Sequence, residues 1–152
     1  MIYLDTPTRA LEAVLAGAVV ATQPVVSVFF YDHTPQATTT LNRGGTQVST
    51  MNGVTDVTIL AAPALQGIIR NVHTIFINNR DSATVTVTVK MDDGGTETIH
   101  VRQSIATGES LVYEDKAGWQ ILSPITPPFT DTTPIVQGSA DATKLVRIEA
   151  DG

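Results

Sequence analysis

A strict alternation of apolar and polar residues from Ala83 to Met91 constrains this chain more than any other stretch. The stretch reads ATVTVTVKM, and a period of two residues is typical of a strand with one buried and one wet face. Asp92-Asp93-Gly94-Gly95 follows as a turn, and Thr96 to Arg102 returns as a second strand. The sequence therefore predicts a β-hairpin. The side chains expected on its wet face are Thr84, Thr86, Thr88 and Lys90.

Other extended stretches recur at roughly ten-residue spacing, separated by turns rich in Gly, Asn and Asp. They are Val25 to Asp32, Val54 to Ala61, Ile68 to Asn78, Leu111 to Tyr113 and Trp119 to Leu122. With 42% hydrophobic and only 16% charged residues, and with many Thr and Val, the composition favours strands. We expect an all-β fold, an antiparallel β-sandwich that is jelly-roll-like, with an extended C-terminal arm. Val25 to Asp32 is apolar on both faces, which predicts a strand inside the assembly or against a neighbouring subunit.

Two stretches are ambiguous. Thr6 as an N-cap, Pro7 and Gly17 as a stop favour a helix from Arg9 to Ala16 on local propensity. The polar stretch from His33 to Asn52 predicts a long loop with a short strand at Thr46 to Thr50.

The domain plan has a body at 1–122 and a Pro-rich linker with an extended arm at 123–152. Pro124, Pro127 and Pro128 make the linker stiff and extended. The arm is too short to fold alone and is expected to lie on another surface. Its predicted assembly residues are Pro134, Ile135, Val136, Leu145, Val146 and Ile148.

Composition also bears on partners. A net charge of −6 without a basic cluster disfavours nucleic acid and anionic membranes. The chain has no cysteine, which removes disulfides and thiolate chemistry. No segment reads as a signal peptide or a membrane span, so a soluble product made in the host cytoplasm is expected.

No catalytic, cofactor or metal site is expected. His33, His73 and His100 lack zinc spacing and are interpreted as ordinary strand residues. The Asp92 to Gly95 stretch lacks the ligands of a calcium loop, which favours a turn. Trp119 with Tyr113 is a candidate platform for stacking on a sugar, and a core position is the alternative for the Trp.

Three stretches resemble a family of small virion structural proteins of tailed bacteriophages. They are LEAVLAGAVVATQPVVSVFFYD (11–32), INNRDSATVTVTVKMDDGGTETI (77–99) and GESLVYEDKAGWQIL (108–122). The resemblance covers most of 11–122, and the order of its elements carries it. It implies that the LEAVLAGAV segment is the first strand of the body, so a strand replaces the helix expected locally.

The C-terminal GSADATKLVRIEADG (138–152) is similar to a segment found in many phage tail-fibre and appendage proteins. The two resemblances imply a non-enzymatic virion subunit that forms a homo-oligomer, with a trimer expected, and contacts other virion proteins. A tail or neck adaptor or a fibre component is the leading interpretation. The alternatives are a capsid decoration protein and a carbohydrate-binding module for host adsorption.

Overall fold

The computed structural model describes residues 1–34 and 43–124, and every regular element within those ranges is a β-strand. The strands are β1 (Ile2–Leu4), β2 (Arg9–Leu15), β3 (Val25–His33), β4 (Arg43–Thr50), β5 (Val57–Leu60), β6 (Ile69–Asn78), β7 (Val85–Asp93), β8 (Thr96–Ile105), β9 (Ser110–Glu114) and β10 (Gly118–Leu122). In the described ranges, no helix has the length and apolar character needed to cross a membrane. The expected all-β class is confirmed.

The strands form two antiparallel sheets that pack face to face. Sheet A has the order β10-β9-β6-β3-β4, and β1 pairs with the free half of β6 next to β9. Sheet B has the order β5-β2-β7-β8. The hairpins β3–β4, β7–β8 and β9–β10 stay within a sheet, and the other connections cross between sheets. The predicted antiparallel β-sandwich is confirmed.

The hairpin of β7 and β8 matches the prediction closely. Its turn consists of Gly94 and Gly95, whose φ angles of 61° and 96° lie in the region that glycine tolerates best. The Asp92 carboxylate accepts a hydrogen bond of 2.8 Å from the Gly95 N–H, and this bond from side chain to backbone stabilises the turn. This local chemistry sets the pairing next to the turn, and the register shifts once farther along, between Val89 and Lys90.

The inward faces of the two sheets form one apolar core. Alternate residues of most strands contribute to it, as the period of a pleated strand requires, whereas β4 has no buried residue. Its fully buried large side chains are Leu4, Leu11, Val26, Val28, Met51, Ile59, Leu60, Val72, Ile75, Ile77, Ile105 and Leu111. Because both sheets supply these residues, neither sheet is able to bury its apolar face without the other.

Residues 9–15 are a strand, as the resemblance implied and against the local helix signals, but they form the second strand of the body because Ile2–Leu4 is β1. β2 pairs with β5 on one side and β7 on the other, and buries Leu11, Ala13 and Leu15 in the core. Pairing on both sides and core burial outweigh a helix propensity that amounts to tenths of a kcal/mol per residue.

The short strand predicted at Thr46 to Thr50 is confirmed as part of the edge strand β4. Because β4 begins at Arg43, the loop predicted from His33 to Asn52 is wrong at residues 43–45. The polar residues of β4 alternate half-buried and exposed, and the whole strand pairs with β3. An edge strand with few core contacts tolerates Gly and Thr that an interior strand would not. A smaller correction concerns the strand predicted from Val54 to Ala61, which is only Val57–Leu60.

Side chains close the sandwich along the edge where β4 meets β5. The Gln47 side chain donates to the Thr58 carbonyl at 3.3 Å and accepts from the Ala61 N–H at 3.0 Å. Ser49 adds a hydroxyl hydrogen bond of 3.2 Å to the same Thr58 carbonyl. These bonds join the two sheets where the backbone ladder stops.

A buried carboxylate ties two of the sheet-crossing connections together. Asp81, in the β6–β7 turn, is 1% exposed and accepts hydrogen bonds from the N–H groups of Val20, Ala21 and Thr22 at 2.8, 2.7 and 3.1 Å. These donors, the Val20 N–H foremost, lower the pKa of Asp81. The charged carboxylate thus fixes the β2–β3 connection to the β6–β7 turn.

Candidate functional site

Exposed large hydrophobic side chains are concentrated on the outer face of sheet A. Six of the eleven in the described residues lie there, so they form a patch and are not scattered singly. We term this surface the aromatic face and define it by Tyr3, Phe29, Tyr31, Val48, Phe76 and Leu122.

Strand register places these side chains on one face. Tyr3 and Tyr31 flank Asn71 on its two neighbouring strands, and Val48 and Phe76 flank one serine of β3 in the same way. Residues paired directly across neighbouring strands point to the same side of a sheet. Four aromatic rings on three strands are therefore exposed together, at 37% to 46% of their surfaces.

Two hollows border the ring of Tyr31. One of about 560 Å³ lies between Phe29, Tyr31 and the backbone of Gly44, Gly45 and Thr46. The other, of about 430 Å³, runs from Tyr31 past His73 to the β9–β10 turn at Glu114, Asp115 and Lys116. His73 lines both hollows at the irregularity where β6 pairs with Phe29 and Phe30 of β3. The aromatic face thus carries projecting rings and concave spaces side by side.

The two glycines of β4 shape the first hollow in different ways. Among the described residues, a Cβ on Gly44 would meet only the Phe30 carbonyl oxygen, at 3.8 Å, so they leave the space above it open. A Cβ on Gly45 would lie 2.5 Å from Cζ of Phe30. The Arg70 guanidinium, 4.3 Å from the Phe30 ring centre, holds that ring, and Asp32 fixes the guanidinium through two hydrogen bonds of 2.8 Å.

Formal charge near the aromatic face is concentrated at the β9–β10 turn, where Asp115 and Lys116 line the second hollow. The strand register brings one formally charged side chain, Glu114, into its described outward rows. The chain as a whole carries a net charge of −6, so the acidic groups lie mainly elsewhere.

The outer face of sheet B carries an ion cluster instead. Lys90, predicted to be wet, lies on the outer face as expected but is only 6% exposed, because carboxylates surround it. Its Nζ lies 2.8 Å from Asp56 Oδ1 and 3.9 Å from Glu12 Oε2, and it also donates to Glu97. Hydrogen bonds to Asp56 and Glu97 raise the pKa of Lys90, and burial raises the pKa of Glu12.

The three carboxylates of this cluster have the spacing of a metal site. Oxygens of Glu12, Asp56 and Glu97 lie within 4.8 Å of one another. The ammonium of Lys90 lies among them and supplies the positive charge that an ion would bring. We therefore interpret the cluster as an internal ion network that stabilises sheet B.

Tyr113 and Trp119, the predicted stacking pair, are neighbours on the inner side of sheet A. They are directly paired across β9 and β10, with ring centres 5.1 Å apart and an interplanar angle of 49°. Tyr113 is 4% exposed and belongs to the core, and Trp119 is half-buried and packs against it. Burial raises the pKa of the Tyr113 hydroxyl. The exposed rings of sheet A are others, those of the aromatic face.

The remaining predicted residues are dispersed or lie beyond the described ranges. His33, His73 and His100 lie on β3, β6 and β8. The predicted arm residues, Pro134, Ile135, Val136, Leu145, Val146 and Ile148, lie outside the described residues.

Sequence reasoning named neither the aromatic face nor its hollows. One signal was present, since Val25 to Asp32 is apolar on both faces and only one face of a sandwich strand can point into the core. The partners on β1, β4 and β6 that complete the patch follow only from strand order.

Comparisons of the chain with protein-family models, with curated proteins and with solved structures found no match.

Proposed function

We propose that this chain is a non-enzymatic structural subunit of a tailed-phage particle. It assembles as a homo-oligomer, with a trimer as the expected state, and attaches through residues 123–152 to other virion proteins. A tail or neck adaptor or a fibre component is the favoured position. The resemblance of three body stretches and of the C-terminal segment to phage structural proteins motivates the proposal.

The single observation that carries the structural role is the aromatic face. Four exposed rings on one sheet, with one formally charged residue in the described outward rows, are typical of a surface that another protein covers. The other outer face carries the Lys90 ion network, and Ile99 is the one strongly exposed large hydrophobic residue on its described strands. The body therefore has one side suited to water and one suited to protein contact.

The described acidic residues also support a structural role. Asp32 pairs with Arg70, Asp93 with Arg9, and three carboxylates surround Lys90. Glycoside hydrolysis requires two carboxyl groups about 5 to 10 Å apart across a cleft, with one free to donate a proton. Carboxylates that are fixed to cations within the fold suit stability better than proton transfer.

Purified particles test the proposal. Particles from a strain producing the tagged full chain should contain it in a fixed copy number by quantitative mass spectrometry. Electron microscopy with a gold-labelled tag should find it at the tail or neck. Labels spread over the head would favour the capsid decoration alternative. Particles that lack the chain would contradict a virion role altogether.

The arm is tested separately by deleting residues 125–152. We expect a folded body that incorporates poorly into particles, because the arm makes the attachment. A full-length chain carrying Val54→Glu, an exposed change in the body, is the matched control and should incorporate normally. Normal incorporation of the truncated chain would refute the role of the arm without touching the role of the body.

A further inference from the structure

We propose that the aromatic face is the surface on which a second copy of this chain docks, with the ring of Tyr31 seated in the partner's hollow above Gly44. The inference rests on the homo-oligomeric subunit proposed above and names the contact that this subunit uses. It commits to self-association, and neither a host glycan nor the chain's own residues 125–152 is the proposed occupant.

Shape is the first argument. The projecting rings of Phe29 and Tyr31 lie beside a hollow of about 560 Å³ whose floor includes two glycines. A surface that carries both projection and recess is able to match a copy of itself, either across a two-fold axis or in a closed ring. Gly44 leaves the recess open within residues 1–34 and 43–124, where only the Phe30 carbonyl oxygen lies within 4 Å of the Cβ position it lacks.

Charge is the second argument. Two copies of a chain with a net charge of −6 repel each other wherever their acidic surfaces meet. The described outward rows of the aromatic face contain one carboxylate, Glu114, and the Asp115 and Lys116 that line the second hollow carry opposite charges, so this face brings two copies together with little repulsion. By contrast, the outer face of sheet B would oppose Glu12, Asp56 and Glu97 of one copy to those of another.

Area is the third argument. Strands lie about 4.8 Å apart and rise about 3.3 Å per residue. A flat sheet five strands wide and as long as β3 therefore has an area of roughly 600 to 700 Å², and projecting side chains add to it. A stable interface of standard size buries about 800 Å² on each partner. The face thus has the extent that a specific contact between two copies needs, with aromatic residues of the kind enriched at such interfaces.

The experiment measures the mass of the purified full-length chain in solution by sedimentation and light scattering. At about 50 µM, wild type should be a dimer or a larger closed oligomer, because such interfaces typically have dissociation constants below this concentration. Tyr31→Glu and Phe29→Glu should weaken association by roughly tenfold to a hundredfold, as loss of a central aromatic contact does.

Two controls separate the face from general effects. Val54→Glu and Leu65→Glu add the same charge at positions that are 67% and 66% exposed and lie off the face, and they should leave the mass unchanged. Gly44→Leu fills the hollow without adding charge, and it should dissociate the oligomer while circular dichroism and the melting temperature show a folded subunit.

A monomeric wild-type chain at about 50 µM would overturn the inference, as would an oligomer that Tyr31→Glu, Phe29→Glu and Gly44→Leu all leave intact. Association in solution does not depend on incorporation into a particle. A chain that self-associates through this face but is missing from particles therefore retains the inference and loses the proposed function. A chain found in particles but monomeric in solution retains the virion role and loses both the inference and the homo-oligomeric state.

Discussion

The two outer faces of the sandwich differ in whether their outward side chains find partners within the same chain. On sheet B, β7 presents Thr side chains and Lys90, whose buried ammonium is matched by three carboxylates. On sheet A, β3 and β6 present Phe29, Tyr31 and Phe76 to solvent. The first face is complete within one chain, and the second leaves apolar surface uncovered.

The difference shows that alternation does not by itself decide what an outer face is for. β7 alternates Val with Thr, and its outer residues find polar partners on adjacent strands. β3 alternates apolar with apolar, and its second apolar face finds no cover among the described residues. A sandwich needs only one apolar face per strand, so the surplus on β3 indicates a contact beyond the fold of one subunit.

The largest effect expected is a contrast between inner and outer positions. Ile75→Ala, in the core, should lower the free energy of unfolding by about 3 kcal/mol, because it leaves a cavity. Phe29→Ala, on the aromatic face, should cost about 1 kcal/mol or less, since the ring is already 44% exposed. Urea denaturation at low protein concentration, where subunits are separate, measures both. Equal losses would contradict the division into a core face and a docking face.

Removal of the cation from sheet B should give the next largest effect. Lys90→Met leaves three clustered carboxylates without a counterion and should lower the free energy of unfolding by about 2 kcal/mol at pH 7. The estimate is below that for a fully buried pair because Asp56 and Glu97 are about half exposed.

The carboxylates provide the internal check on this variant. Addition of Glu12→Gln to Lys90→Met should recover part of the loss, because Glu12 is the least exposed of the three acids. Lys116→Met, in the exposed β9–β10 turn, is the matched control and should change stability by less than about 0.5 kcal/mol. A Lys90→Met chain as stable as this control would refute the network as a stabilising feature of sheet B.

The two glycines of β4 test the division of faces within a single strand. Gly45→Ala forces its Cβ against the Phe30 ring, which Arg70 holds, and should cost about 1 to 2 kcal/mol. Gly44→Ala points its Cβ at the open hollow and should be neutral or slightly stabilising. Thermal melting of both variants measures the difference. A larger loss of stability in Gly44→Ala than in Gly45→Ala would mean that Gly44 faces the core and Gly45 faces the hollow.

Acid should affect the junction of the two sheets rather than either face. The folded-state pKa of Asp81 is lowered by backbone N–H donors, Val20 first, so the unfolded chain binds a proton more readily than the folded one. The stability that Asp81 contributes is therefore complete above the ordinary aspartate pKa of about 3.9 and is lost as pH falls toward the folded pKa. Melting temperature measured between pH 7 and pH 3 follows this loss.

Asp81→Asn identifies the group responsible. The variant should melt on the order of 5 °C lower than wild type at pH 7, and its stability should fall less steeply with acid. Because Asp81 joins connections that cross between the sheets, both sheets should unfold in one transition. An acid slope identical to that of wild type would assign the loss to other carboxylates, such as Asp93, whose pKa the hydrogen bond from Arg9 lowers.

Much of the fold was predictable where neighbours in sequence decide it. The β7–β8 hairpin follows from period-two alternation and a Gly-Gly turn, and both are local. Arg9–Leu15 was not predictable from its own residues, whose capping signals favour a helix, and the resemblance supplied the strand. Only the Thr46 to Thr50 part of β4 was predicted as a strand, and its first three residues were assigned to a loop because their strand state depends on β3 beside them.

The candidate site was less predictable than the fold. Trp119 and Tyr113 attracted attention as aromatic residues, yet strand register turns both toward the core and turns Phe29 and Tyr31 outward. A shift of register by one residue reverses every side chain of a strand, so the exposed set is fixed only when the pairing is known.

The sequence by itself determined that this chain forms strands, where its hairpin turns, and that β3 carries apolar residues on both faces. These depend on side-chain period and turn chemistry within a few residues. Tertiary structure alone decided that Lys90 is enclosed by carboxylates from β2, from β8 and from the segment before β5, and that rings from three strands meet on one face. These depend on strand order and register across long chain separations, which no local pattern encodes.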